Sequence, residues 1–152
     1  MGSRSKKDLH HILVAAYDKA AEEYQKKYPN DPQPFLTCTN RSNEEQQALY
    51  NQPTDGKDNN GNGIIDDKSE KITQALPGQS AHNYNPSLAF DIAFINVKQK
   101  LDWSPINFKR FCDIIKVIEP LCECGIDWKS MPDAPHIQLR NWRNYLPAIK
   151  KP

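Results

Sequence analysis

Residues 88–95 read Leu-Ala-Phe-Asp-Ile-Ala-Phe-Ile, and this segment limits the fold more than any other. Its period of two puts Phe90, Ile92 and Phe94 on one side of a strand and Ala89, Asp91 and Ala93 on the other. The bulky side must lie against helices or a second sheet, which leaves a carboxylate among alanines on the opposite side. An unpaired buried carboxylate is expensive, so Asp91 demands a cation or hydrogen-bond donors.

A second alternating segment, residues 135–139, sets His136 and Gln138 on one face and Ile137 and Leu139 on the other. Residues 8–28 place Leu9, Ile12, Leu13, Ala16, Ala20 and Tyr24 at helical intervals, ended by Pro29. Residues 35–39 read as a short strand, and Ser42 with Glu45 forms a capping box that opens a helix through Leu49 and Tyr50. Ser104-Pro105 starts a further helix with the stripe Phe108, Phe111, Cys112, Ile115, Ile118 and Cys122, and Gly125 as its stop. There is no internal repeat and no βαβ alternation. The expected fold is α+β: a small, largely antiparallel sheet packed on helices in one domain, residues 8–152, behind a frayed tail at residues 1–7.

With 152 residues and 38% apolar content, the chain has enough for one core. A net charge of +1 excludes a protein that holds nucleic acid or an anionic membrane by bulk electrostatics. The apolar run at residues 12–16 is far short of the roughly 18 residues of a membrane span and of an export signal's core. The expected site of synthesis is therefore the cytoplasm. Cys38, Cys112, Cys122 and Cys124 read as reduced, partly buried thiols, none of them a ligand. Trp103, Trp128, Trp142 and Tyr145 read as packing, His10 and His11 as helix surface, and Lys150 and Lys151 as solvated ends.

Three groups that bind metals stand out: His82, Asp91 and His136. Two imidazoles and a carboxylate suit Zn²⁺ and leave one tetrahedral position open, as a catalytic site requires. Asp133, three residues before His136 across a proline turn, occupies the position of a general base.

The pattern Ser80-x-His82 to Ala89-x-Asp91, followed by Asp133-x-Pro-His136-x-Gln138, resembles the zinc peptidases that include D-alanyl-D-alanine carboxypeptidases and phage L-alanyl-D-glutamate endolysins. Arg41-Ser42, Gln46 and Leu49-Tyr50 are similar to that family's upstream segment. The resemblance implies that His82, Asp91 and His136 bind Zn²⁺ and that Asp133 is the catalytic acid/base. It also implies that Arg41 faces the substrate's polar groups, stabilising the oxyanion or holding a carboxylate, and that Ser80 helps seat the substrate. The interval from His82 to Asp91 is longer than the family's and lacks its glycine, which reads as a loop insertion at residues 85–87. Aspartate at position 133, where the carboxypeptidase branch commonly has Glu, resembles the endolysin branch. The implied protein is a monomeric endolysin that cuts stem peptides of bacterial peptidoglycan, resident in the host cytoplasm until its release to the wall. A D-Ala-D-Ala carboxypeptidase and a calcium-dependent, non-catalytic wall-binding module are the alternatives.

Residues 51–70 are rich in Asp, Asn and Gly and cannot form a core. From Asp58 they match the first nine positions of a calcium loop: Asp58, Asn60, Asn62 and Asp66 as oxygen ligands, Gly63 at the turn and Ile64 offering its carbonyl. Ile65 would anchor the loop to the core. Position twelve is Ser69, with Glu70 one residue late and Asp67 as a substitute. The expectation is an insertion at residues 55–70 that Ca²⁺ orders, bracing the segment that leads to Ser80 and His82.

Overall fold

The computed structural model describes residues 2–148; Lys150 and Lys151 lie outside the described residues. Four strands form one antiparallel sheet in the order β1-β2-β4-β3: β1 (Gln33–Cys38), β2 (Ala89–Ile95), β3 (Cys122–Cys124) and β4 (His136–Leu139). Among the described residues three α-helices accompany it, α1 (His11–Lys27), α2 (Asn43–Asn51) and α3 (Pro105–Ile118). The α+β architecture and the antiparallel sheet are as the alternation of residues 88–95 and 135–139 requires.

The bulky side of β2 makes the core. Phe90 meets Tyr17 of α1 edge-on, and Phe94 meets Tyr24 of α1 together with Phe108 and Phe111 of α3. Leu13, Ala16, Ala20 and Tyr24 of α1 are buried at helical spacing, and Phe108, Phe111, Cys112 and Ile115 form the matching stripe of α3. Removing one such ring costs about 3–5 kcal/mol, so this face holds the sheet in place. The Ser42/Glu45 capping box opens α2 as the sequence indicates.

Helix α3 is shorter than its stripe suggests. It ends at Ile118, because Pro120 forces the preceding Glu119 into extended backbone, φ −137 and ψ 97. Cys122 then belongs to β3, not to the helix, and Gly125 follows a strand. The N-terminal residues also differ from expectation. Ser3 donates to Asn40 O at 2.7 Å and accepts from Thr39 N at 2.6 Å, and the Thr39 hydroxyl donates to Ser5 O at 2.9 Å. Backbone groups left free just past β1 hold this segment down. His10, expected on the surface, is buried and caps α1 by accepting the Ile12 N–H at 3.2 Å. Past the end of α2, residues 52–70 carry only two short 3-10 turns, and Ile65 is 63% exposed, so it does not anchor the loop to the core.

Candidate metal centre

The sheet register assembles the site. On neighbouring strands Asp91 stands opposite His136, and Cys38 stands opposite Asp91. A register shift between Leu36 and Cys38 turns the end of β1 toward this side of the sheet. His82 comes from a 3-10 turn, Ala81–Asn83, which Ser80 caps by accepting the His82 N–H at 3.3 Å. The Ser80 hydroxyl thus aims His82 as well as lining the cleft.

Three donor atoms converge. His82 Nε2, His136 Nδ1 and Asp91 Oδ1 lie 3.2 Å from one another on all three edges. Ligands at the corners of a tetrahedron with bonds of about 2.0–2.1 Å stand about 3.3–3.4 Å apart, so the triangle fits a zinc ion. The tautomers fit too. His82 Nδ1 lies 2.7 Å from the Thr39 carbonyl, which only accepts, so Nδ1 carries the proton and Nε2 keeps its lone pair for the triangle. Glu123 accepts from Gln138 Nε2 at 2.5 Å; Gln138 Oε1 then accepts from His136 Nε2 at 2.8 Å, freeing His136 Nδ1.

Electrostatics describe a cation-seeking site. Burial raises the Asp91 carboxyl, yet the charges and hydrogen bonds of His82 and His136 outweigh it and hold the group well below the ordinary carboxylate range. Burial lowers the His82 imidazole, but the Asp91 charge and the Cys38 contact push it up, so a cation in the triangle would take the place of a proton on Nε2. Asp133 sits at the rim, still open to solvent; the surrounding protein raises its carboxyl, the Asp91 charge adds to this, and His136, His82 and Arg41 oppose it. Arg41 reaches Asp91 Oδ2 at 3.6 Å while its Nη1 donates to Gln46 Oε1 at 3.1 Å. Cys38 Sγ, a His82 nitrogen and an Asp91 oxygen also lie within 4.8 Å of one another. The sulfur lies 3.9 Å from Nδ1 of His82, the ring nitrogen that is not part of the triangle.

All the residues singled out for the zinc chemistry line one cleft of about 400 Å³: Arg41, Ser80, His82, Asp91, Asp133 and His136. Trp103, Trp128 and Trp142, taken from sequence as packing, line it as well, and the Trp128 ring stands 5.2 Å from that of His136. The calcium-loop residues lie outside this cleft. Sequence reasoning missed the Thr39 carbonyl and the Glu123 relay; the sign of the relay was Gln138 sharing a strand face with His136.

No protein-family model matches the sequence, and neither does any curated protein. In three dimensions the chain is similar to the L-Ala D-Glu endopeptidase ChiX of Serratia marcescens, whose crystal structure superposes with a TM-score of 0.64 at 18% identity. The match covers 95% of this chain and 92% of that one. The chain has the fold of an L-Ala D-Glu endopeptidase.

Proposed function

We propose that the chain is a zinc peptidase that hydrolyses peptidoglycan stem peptides at the L-alanyl-D-glutamate bond, acting as an endolysin from the cytoplasm of a bacterial host. The observation that carries this reading is the triangle of His82, Asp91 and His136, whose donor atoms stand 3.2 Å apart in a cleft that also holds Asp133 and Arg41. The likeness in fold to the Serratia endopeptidase supports it.

His82, Asp91 and His136 would hold Zn²⁺, which supplies Lewis acidity toward a carbonyl and toward water. The remaining work falls to the chain. Asp133, with its carboxyl raised, accepts a proton from water and returns it to the leaving amine. Arg41, steadied by Gln46, presents its guanidinium to the oxyanion or to a substrate carboxylate. Gln138 and the Thr39 carbonyl keep both imidazoles in the tautomer whose lone pair points into the triangle, where Zn²⁺ would be held.

Digestion of defined peptidoglycan by zinc-loaded protein, with fragments read by mass spectrometry, is expected to yield new N-terminal D-glutamate. His82→Ala and His136→Ala are expected to lose both zinc and cleavage. Asp133→Asn is expected to keep zinc and lose about 10²–10⁴-fold in rate. Free D-alanine in the digest would make the enzyme a carboxypeptidase instead, and intact walls under fully zinc-loaded protein would leave only a wall-binding module.

A further inference from the structure

The loop at residues 55–70 is unexplained by the zinc site, and one side chain in it is anomalous. Glu70 is 2% exposed, and its Oε2 is buried without a hydrogen-bond partner. Its other oxygen accepts the Asn59 N–H at 2.7 Å, which directs the carboxylate into the turn that begins at Asp58. A buried anion with one oxygen unpaired costs free energy that a cation would recover.

The turn supplies the other donors. Asp58 accepts the N–H groups of Gly61, Asn62 and Gly63, Asn60 accepts that of Asn62, and Asn62 accepts that of Ile64, so these oxygens are fixed by the backbone. Gly63 has φ +87, the left-handed bend that suits glycine at the sixth position. Asp67, the substitute suggested by sequence, is already committed to the Ser69 N–H and the Asn62 side chain. Glu70 is therefore the carboxylate with an oxygen to spare.

We infer that residues 58–70 bind a hard divalent cation of the calcium class through Asp58, Asn60, Asn62, the Ile64 carbonyl and Glu70, while Asp66 closes the loop by accepting the Gly56 N–H at 2.7 Å, and that the bound ion holds the adjoining cleft wall. Oxygen-only donors of mixed charge match Ca²⁺ and not Zn²⁺. Glu70 leads within three residues to Ile72 and Thr73, which line the cleft, as do Ala75, Gln79 and Ser80. A fixed Glu70 therefore fixes the start of that wall. The cation site stands independently of the proposed peptidase; its effect on rate rests on that reading.

The test titrates CaCl₂ calorimetrically into EDTA-treated, zinc-restored full chain, alongside Glu70→Gln and Asp58→Asn with their zinc content and melting curves. Saturable binding is expected, weakened about tenfold or more in each variant at unchanged zinc content. Calcium is expected to slow proteolytic nicking at residues 55–70 and to raise wall cleavage in the parent but not in Glu70→Gln. Absence of saturable binding at millimolar Ca²⁺, or equal affinity in Glu70→Gln, would overturn the site. Binding without protection or a change in rate would overturn its coupling to the cleft. Normal calcium binding with walls left intact would count against the peptidase and not against the cation site.

Discussion

The cleft has two walls built on different principles. Residues 122–136 are held by backbone: β3 pairs with β4, and the Gly125 carbonyl accepts both Asp133 N–H at 2.9 Å and Trp128 N–H at 3.2 Å. Residues 72–80 contain no helix or strand and hang from side chains. Gln46 Nε2 donates to Ala75 O at 2.8 Å, and Asn83 Oδ1 accepts the N–H groups of Gly78 and Ser80 at 3.1 and 3.2 Å. A ladder spreads its load over many bonds, whereas tethers concentrate it on a few residues. Asp133, the proposed base, sits on the ladder wall, where the Gly125 carbonyl fixes its backbone N–H. The tethered wall is the one that a ligand or cation is able to move.

The sharpest way to break this contrast is Gln46→Leu. Gln46 is fully buried; its loss leaves Arg41 Nη1, Asn83 Nδ2 and Ala75 O each short of a partner. Buried groups left unpaired cost about 1–3 kcal/mol each, so the variant is expected to lose about 3 kcal/mol in urea denaturation. Its wall cleavage is expected to fall further than its zinc affinity, since the triangle does not touch Gln46. A loss under about 1 kcal/mol would mean that the wall does not depend on this tether.

On the ladder wall the corresponding substitution is Gly125→Ala. A Cβ at Gly125 would lie 2.3 Å from Asp133 O and 3.1 Å from Asp133 Cβ, so the Asp133 backbone has to move. The expected cost is about 1–3 kcal/mol, with zinc retained and kcat lowered more than KM is raised. Parent-like stability and turnover would show a wall more compliant than its ladder implies.

How far the sequence disclosed all this follows the same division. Strand alternation exposed Asp91 and His136, because a polar residue on a small-residue face has few cheap explanations. Their pairing across β2 and β4 then needed only antiparallel register. The Thr39 carbonyl was invisible, since a backbone acceptor leaves no mark in residue type. Cys122 was misplaced because a helical stripe and a buried strand both favour small apolar residues; Pro120 was the overlooked stop. Trp142 does pack in the core, at 6% exposure, while also lining the cleft; Trp103, 56% exposed, does not, because aromatic composition does not say which surface a ring faces. Ile65 shows the converse error, an apolar residue assumed to pack that faces solvent.

The smallest effect concerns how the ladder wall is tied to α3. Asp127, at the end of the 3-10 turn Gly125–Asp127, meets Lys116 at 2.7 Å, Lys109 at 3.3 Å and Cys112 Sγ at 3.3 Å. The Lys116 hydrogen bond holds its carboxyl down to about 2, against the opposing effect of burial and with help from Cys112 and Lys109. A carboxyl depressed in the folded state stabilises it above the unfolded value of about 3.9, and that contribution fades as pH falls toward the folded value. Because the group is about one-third exposed, solvent screening reduces the effect to about 0.5–1 kcal/mol. Asp127→Asn is therefore expected to be less stable than the parent by that amount near neutrality, with the gap closing between about pH 4 and pH 2 and narrowing in high salt. Zinc affinity is expected to stay constant throughout, because Asp127 anchors the back of the wall and makes no contact with the triangle. A stability gap that ignores both pH and salt would assign Asp127 a packing role and leave the ladder alone to hold the wall.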